Sequence, residues 1–260
     1  MIMDYEVIRS RILGAAKTSS IVFIVVCLFI LEICNLMNSI SRVNQKPEPI
    51  MMNISMKGRH EIVTDAKFPF KSPFRLIVAG PSGAGKTEFV KRIIESKQNL
   101  VAPPPDKITW HYAVWQPWYP NFAARVEFIE GLPTKVEICK KENHLLILDD
   151  MSQFMNKNTS QLFACDSHHR NISIIYLTQN FFQKNGHQRD ISLNATHIAF
   201  FKNPRDNTQI FNLSRQMFPE NPKFLTAAYK DATRKPYSYL LIDLTPEIND
   251  RFRVRTYFSW

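Results

Sequence analysis

The octet Gly80, Pro81, Ser82, Gly83, Ala84, Gly85, Lys86, Thr87 fits the spacing G-x-x-x-x-G-K-[ST]. Each residue type in it suits the holding of a polyphosphate. Glycines accept positive φ and let the backbone approach phosphate oxygens with no Cβ in the way. Successive N–H groups of the loop then form an anion nest at the start of a helix. Lys86 is placed to reach the β- and γ-phosphates of ATP, and the Thr87 hydroxyl to ligate Mg²⁺. Three of only seven glycines fall in this octet, which argues against a chance match. A second feature follows at Asp149 and Asp150, straight after the apolar run Leu145 to Leu148. A buried strand that ends in carboxylates delivers them to the edge where open α/β sheets bind ligands. There Asp149 suits the Mg²⁺ shell, and Asp150 suits a general base acting on water. Gln179 closes a third apolar run, and its uncharged amide can accept from the attacking water and donate to the γ-phosphate. Phosphoryl transfer also calls for a guanidinium to stabilise gathering negative charge. Arg170 is the first candidate, followed by Arg189, Arg205 and Arg215.

These residues need a frame. "FRLIVA" (74–79) has the short apolar character of a buried parallel strand. "TEFVKRIIES" then sets Phe89, Ile93 and Ile94 on one helical face. Three consecutive prolines within 99–107 interrupt any element. Strands are predicted at 108–115, 125–130, 144–150, 172–179 and 197–201, with β-rich segments at 237–244 and 251–258. Helices are predicted at 159–169 and at 206–218, the latter capped by Asp206. Strands that alternate with helices give an α/β fold, a doubly wound, mainly parallel sheet with helices on both faces. Cys165, Asp166, His168 and His169 lack paired ligands elsewhere and read as a helix end instead of a metal site.

The chain has 260 residues, of which 45% are hydrophobic and 22% charged, an ordinary globular balance that excludes a disordered chain. Net charge is +10, and residues 59–260 alone hold 27 Lys and Arg against 19 Asp and Glu. That surplus suits a polyanionic partner. Four scattered cysteines read as reduced thiols, consistent with an intracellular protein. Residues 1–50 form an N-terminal extension, and 51–260 the catalytic domain. Within the extension, the apolar stretch 21–37 follows Arg9, Arg11 and Lys17 and suits a single-pass membrane anchor, although Glu32 interrupts it. The other reading is an upstream extension ahead of a start at one of the methionines of 51–56.

"GPSGAGKT", "LLILDD", "HHRNISIIYLTQNFF" and "AYKDATRKPYSYLLIDL" together resemble the genome-packaging ATPases of the FtsK–HerA superfamily. The nearest branch is that of Polinton/Maverick elements and related DNA viruses, similar also to the poxvirus packaging ATPase. The resemblance spans about residues 55–258. It implies a RecA-like (ASCE) P-loop fold, with the Gln179 strand inserted between the strand of the phosphate loop and that of Asp149. It also implies a ring of identical subunits that threads double-stranded DNA into a capsid at a virion assembly site in nucleus or cytoplasm. Two departures from the family pattern are visible. Asp150 stands where many relatives carry Glu, and the usual finger position holds His168, with Arg170 two residues on. Two other readings compete: a nucleotide kinase of guanylate type, whose loop "GPSGAGKT" also resembles, and a membrane-tethered NTP-binding protein.

Overall fold

Successive residues of a strand face opposite sides of a sheet, so a strand covered on both faces must be apolar throughout. Five runs meet that condition and form the centre of the molecule. The computed structural model describes residues 52–54, 60–62, 69–133, 142–167, 171–182 and 186–256. All of them fall within one compact unit, Pro49–Trp260. The strands are β1 (Met52–Ile54), β2 (His60–Ile62), β3 (Phe70–Lys71), β4 (Arg75–Ala79), β5 (Val101–Ala102), β6 (Lys107–Tyr112), β7 (Glu127–Glu130), β8 (His144–Asp149), β9 (Ile172–Thr178), β10 (His197–Phe201), β11 (Tyr239–Asp243) and β12 (Val254–Arg255). Eight of these make the main sheet, in the order β12-β11-β10-β4-β9-β8-β6-β7. The six strands from β10 to β7 are mutually parallel; β11 runs against β10, and β12 against β11.

Alternate residues of the central strands feed two separate cores. On one face Leu76, Val78, Leu145, Ile147, Ile175 and Leu177 pack under helix α1 (Lys86–Glu95). The amphipathic face of α1 supplies Phe89, Val90, Ile93 and Ile94, all buried. The opposite face, with Ile77, Leu146, Leu148, Ile174 and Tyr176, is covered by four helical segments. Of the remaining helices, α2 (Lys97–Leu100) follows α1, and α3 (Lys157–Gln161) continues as a π-helical turn over Leu162–Asp166. They are followed by α4 (Gly186–Leu193), α5 (Thr208–Met217) and α6 (Pro222–Ala232). Fully burying each such aliphatic side chain contributes about 1.5–3 kcal/mol, so this two-sided core holds the sheet together.

Several boundaries differ from those read in the sequence. Strand β6 stops at Tyr112, not at residue 115, because Val114 and Trp115 lie beyond the sheet and are exposed. Helix α5 starts at Thr208 with Asn207, not Asp206, at its N-cap; Asp206 lies one residue earlier and accepts the Thr208 N–H at 2.8 Å. Three helices, α2, α4 and α6, were not expected. For α6 the signal is legible: Pro222 opens it, and Leu225, Ala228, Tyr229 and Ala232 recur at helical spacing on its buried face. Among the described residues no helix is long and apolar enough to cross a membrane. Segment 21–37 lies outside them, as do His168, His169 and Arg170.

Candidate functional site at the carboxyl edge of the sheet

Strand β9 brings the separated motifs together. Its register aligns Thr178 with Ala79 on one side and Leu177 with Asp149 on the other. Carbonyls of successive residues point to opposite flanks of a strand. Thr178 O therefore accepts from Gly80 N–H at 3.1 Å, while Leu177 O accepts from Asp150 N–H at 3.1 Å. The start of the phosphate loop and the second acid are thus fastened to the same strand end. The three expected motifs converge on one edge, and the strand ending at Gln179 lies between the other two, as the resemblance implies.

The loop itself divides its glycines by task. Gly83 and Gly85 have φ of 75° and 101°, which a side chain resists. Gly80 does not use positive φ. Its requirement is space, since a Cβ there would sit 2.7 Å from Cβ of Phe201 on β10. Gly85 precedes α1 in left-handed conformation, and Phe89 N–H donates to its carbonyl at 3.0 Å. Lys86 Nζ donates to the carbonyls of Gly80 at 2.7 Å and Pro81 at 3.0 Å, which draws the ammonium across the loop. Burial lowers its pKa, opposed by the charges of Asp150 and Asp149, so both acids act on this lysine.

The acids differ in environment. Asp149 is half-buried and accepts from Trp110 Nε1–H at 3.2 Å. Burial raises its carboxyl pKa, and the Asp150 charge adds to this; the Trp110 hydrogen bond and Lys86 oppose it. Asp150 is exposed, has φ of 51°, and accepts from Gln179 Nε2–H at 2.7 Å through Oδ2. Among the described residues Oδ1 has no protein partner, so it remains available to a water molecule. The Gln179 amide, expected to donate to phosphate, is committed through this N–H to Asp150, leaving its carbonyl oxygen and second N–H for other partners.

Thr87, in the first turn of α1, and Asp149 offer oxygen donors, the hard ligand chemistry that Mg²⁺ takes. A Mg²⁺ ion held there would neutralise phosphate charge. The chain's own groups would place Lys86 against the phosphates, keep a proton acceptor at Asp150 Oδ1, and tie that acceptor to Gln179.

Some neighbours of the site escaped the sequence. Asn203, Asp206 and Gln209 line a groove with Gly80 and Gln179. Tyr229 of α6 fixes the end of β10, donating through its hydroxyl to Phe201 O at 3.0 Å and accepting from Asn203 N–H at 2.7 Å. Trp110 is the missed partner of Asp149. Its strand was legible, but the pairing of β6 with β8 was not. Arg189, Arg205 and Arg215 are all exposed.

No protein-family model matches the chain, and no curated protein gives a significant match. Among solved structures, the genome packaging NTPase B204 from Sulfolobus turreted icosahedral virus 2, in complex with sulfate, is similar at 13% identity and TM-score 0.50, over 71% of this chain and 96% of that one. The chain has a RecA-like P-loop fold. The same NTPase in complex with ATP-gammaS gives 12% identity and TM-score 0.49, over 71% of this chain and 97% of that one. The cytoplasmic domain of the Thermomonospora curvata type VII secretion ATPase EccC gives 12% identity and TM-score 0.48, over 83% of this chain and 29% of that one. At these identities the likeness is one of fold.

Proposed function

We propose that the chain is a Mg²⁺-dependent ATPase that translocates double-stranded DNA. On this reading residues 51–260 are the motor domain, assembled as a ring and loading a viral or virus-like genome into a capsid inside the cell. The observation that carries the hydrolytic part is the 2.7 Å contact between Gln179 Nε2 and Asp150 Oδ2, on a strand wedged beside the phosphate loop. A kinase passes the γ-phosphoryl to a second substrate, whereas a carboxylate held by an amide beside the loop suits activation of water. The DNA part is supported by the charge of +10 and by the packaging NTPase whose fold the chain shares. A neighbouring subunit's arginine, Arg170 being the first candidate, would complete the site and couple turnover to assembly; such fingers contribute about 10³–10⁵ in rate.

The test is ATP turnover of the full chain with and without duplex DNA, with oligomeric state followed by sedimentation. DNA should stimulate turnover and drive ring assembly, and affinity for DNA should fall steeply with salt. Lys86→Ala should abolish tight ATP binding, while Asp150→Asn should bind ATP and lose turnover. Arg170→Ala subunits mixed with Asp150→Asn subunits should recover partial activity. Full turnover in a monomer indifferent to DNA would sink the motor reading and favour a kinase.

A further inference from the structure

The corner between α6 and β11 sets an aromatic ring at the mouth of the phosphate loop. Tyr237 is 71% exposed, and its φ of 61° lies in the left-handed region that a residue with a Cβ resists. A Cβ built on Gly85 would meet Tyr237 Cβ at 3.4 Å and Cδ1 at 3.5 Å. The side chain therefore stands directly over the glycine that precedes Lys86. Its turn is anchored from both ends. Thr233 Oγ1–H donates to Tyr229 O at 2.7 Å, and Ser238 Oγ–H donates to Lys235 O at 2.5 Å. Two residues on, the Tyr239 ring packs against Phe89 at 4.6 Å and Phe201 at 5.3 Å. Among the described residues the Tyr237 ring has neither a hydrogen bond nor an aromatic partner. A large ring, held in unfavourable backbone on a fixed turn and left open to solvent, is arranged for contact with something outside the chain.

Strand order supplies the direction. Asp149, Asp150 and Gln179 end β8 and β9, on one side of β4; β10 and β11, next to Tyr237, lie on the other. A nucleoside triphosphate that lies along the loop with its terminal phosphate towards Asp150 carries its base to the opposite end, at Tyr237. We propose that Tyr237 is the stacking platform for the nucleobase, favouring purines because their bicyclic face covers more of the ring. This assignment rests on the reading of Gly80 to Thr87 as a nucleotide site and adds its base subsite.

Calorimetric titration of the full chain with ATP, CTP and inorganic tripolyphosphate tests it. Tyr237→Ala should weaken ATP binding about tenfold, the loss of one base–aromatic stack, and leave tripolyphosphate affinity unchanged. The preference for ATP over CTP should shrink with it. Tyr237→Phe, which keeps the ring face, should behave as the parent chain does. Stacking is overturned if Tyr237→Ala keeps its ATP affinity, or loses ATP and tripolyphosphate alike through damage to the loop. It is also overturned if the parent binds ATP no better than tripolyphosphate, although the phosphate site then stands. A parent chain that binds none of the three removes the nucleotide reading and this subsite together.

Discussion

Gly80→Ala is expected to damage the site from its first residue, through volume and not through φ. The added methyl would sit 2.7 Å from Phe201 Cβ, where ordinary contact begins at 3.4 Å, a deficit of about 0.7 Å. Phe201 has little freedom to retreat. It is 1% exposed, pairs with Tyr239 in the sheet, and its carbonyl accepts from Tyr229. The loop must yield instead, and overpacking of this kind costs about 1–3 kcal/mol. For a domain of this size that is a fall of roughly 2–12 °C in the unfolding midpoint. Moving Gly80 also disturbs its bond to Thr178 O, so ATP affinity should fall together with stability. Gly83→Ala is the control: nothing lies within 4 Å of its Cβ, and only its φ of 75° is unfavourable, at about 1 kcal/mol. Phe201→Ala keeps the offending Cβ, so it should not rescue Gly80→Ala, whereas Phe201→Gly should show favourable coupling with it. Thermal melts and ATP titrations across this set decide the matter. A Gly80→Ala chain with parental midpoint and affinity would show that the contact with Phe201 carries no constraint.

The remaining predictions concern the two kinds of buried carboxylate. Burial raises the Asp149 pKa, so protonation of this group favours the fold; that contribution is full below the unfolded pKa of about 3.9 and is lost as pH rises through the folded value. Asp149→Asn, which can still accept from Trp110, should therefore melt higher than the parent at pH 7 while losing turnover, and a lower midpoint would contradict the assignment. At the far end of the sheet, burial pushes the Asp243 carboxyl up, but His197 at 3.5 Å and the Thr245 hydroxyl and N–H hold it well below the usual range. Arg255 Nη2 also donates to it at 2.5 Å. The stabilisation from Asp243 is present above its unfolded pKa and is lost as pH falls through the folded value. Asp243→Asn should cost about 1.5–3 kcal/mol at pH 7 by removing the charged acceptor of the Arg255 hydrogen bond, and should flatten the acid limb of the stability curve. Urea titrations from pH 7 down to pH 3 measure both effects.

Residues 80–87 declared their chemistry in the sequence because a phosphate nest is local: glycines, lysine and threonine at fixed spacing make it within one turn and one helix start. The central strands were legible for the same kind of reason, since two-sided burial demands unbroken apolar runs such as Leu145 to Leu148 and Ile174 to Leu177. The strand ending at Gln179 could be placed beside the loop only by family resemblance, because composition does not encode which strand pairs with which. Helix α6 was in principle readable from its spacing, but its role was not: Tyr229 acts through contacts with β10 from 28 residues away. Trp110 meets Asp149 across 39 residues, and Gly80 owes its identity to Phe201, a neighbour supplied by the pairing of β4 with β10. Short-range backbone geometry and one-dimensional hydrophobic pattern belong to the sequence. Register, strand order and the close approach of side chains distant along the chain exist only once the sheet has formed, and those contacts set the charge, the partners and the space of the site.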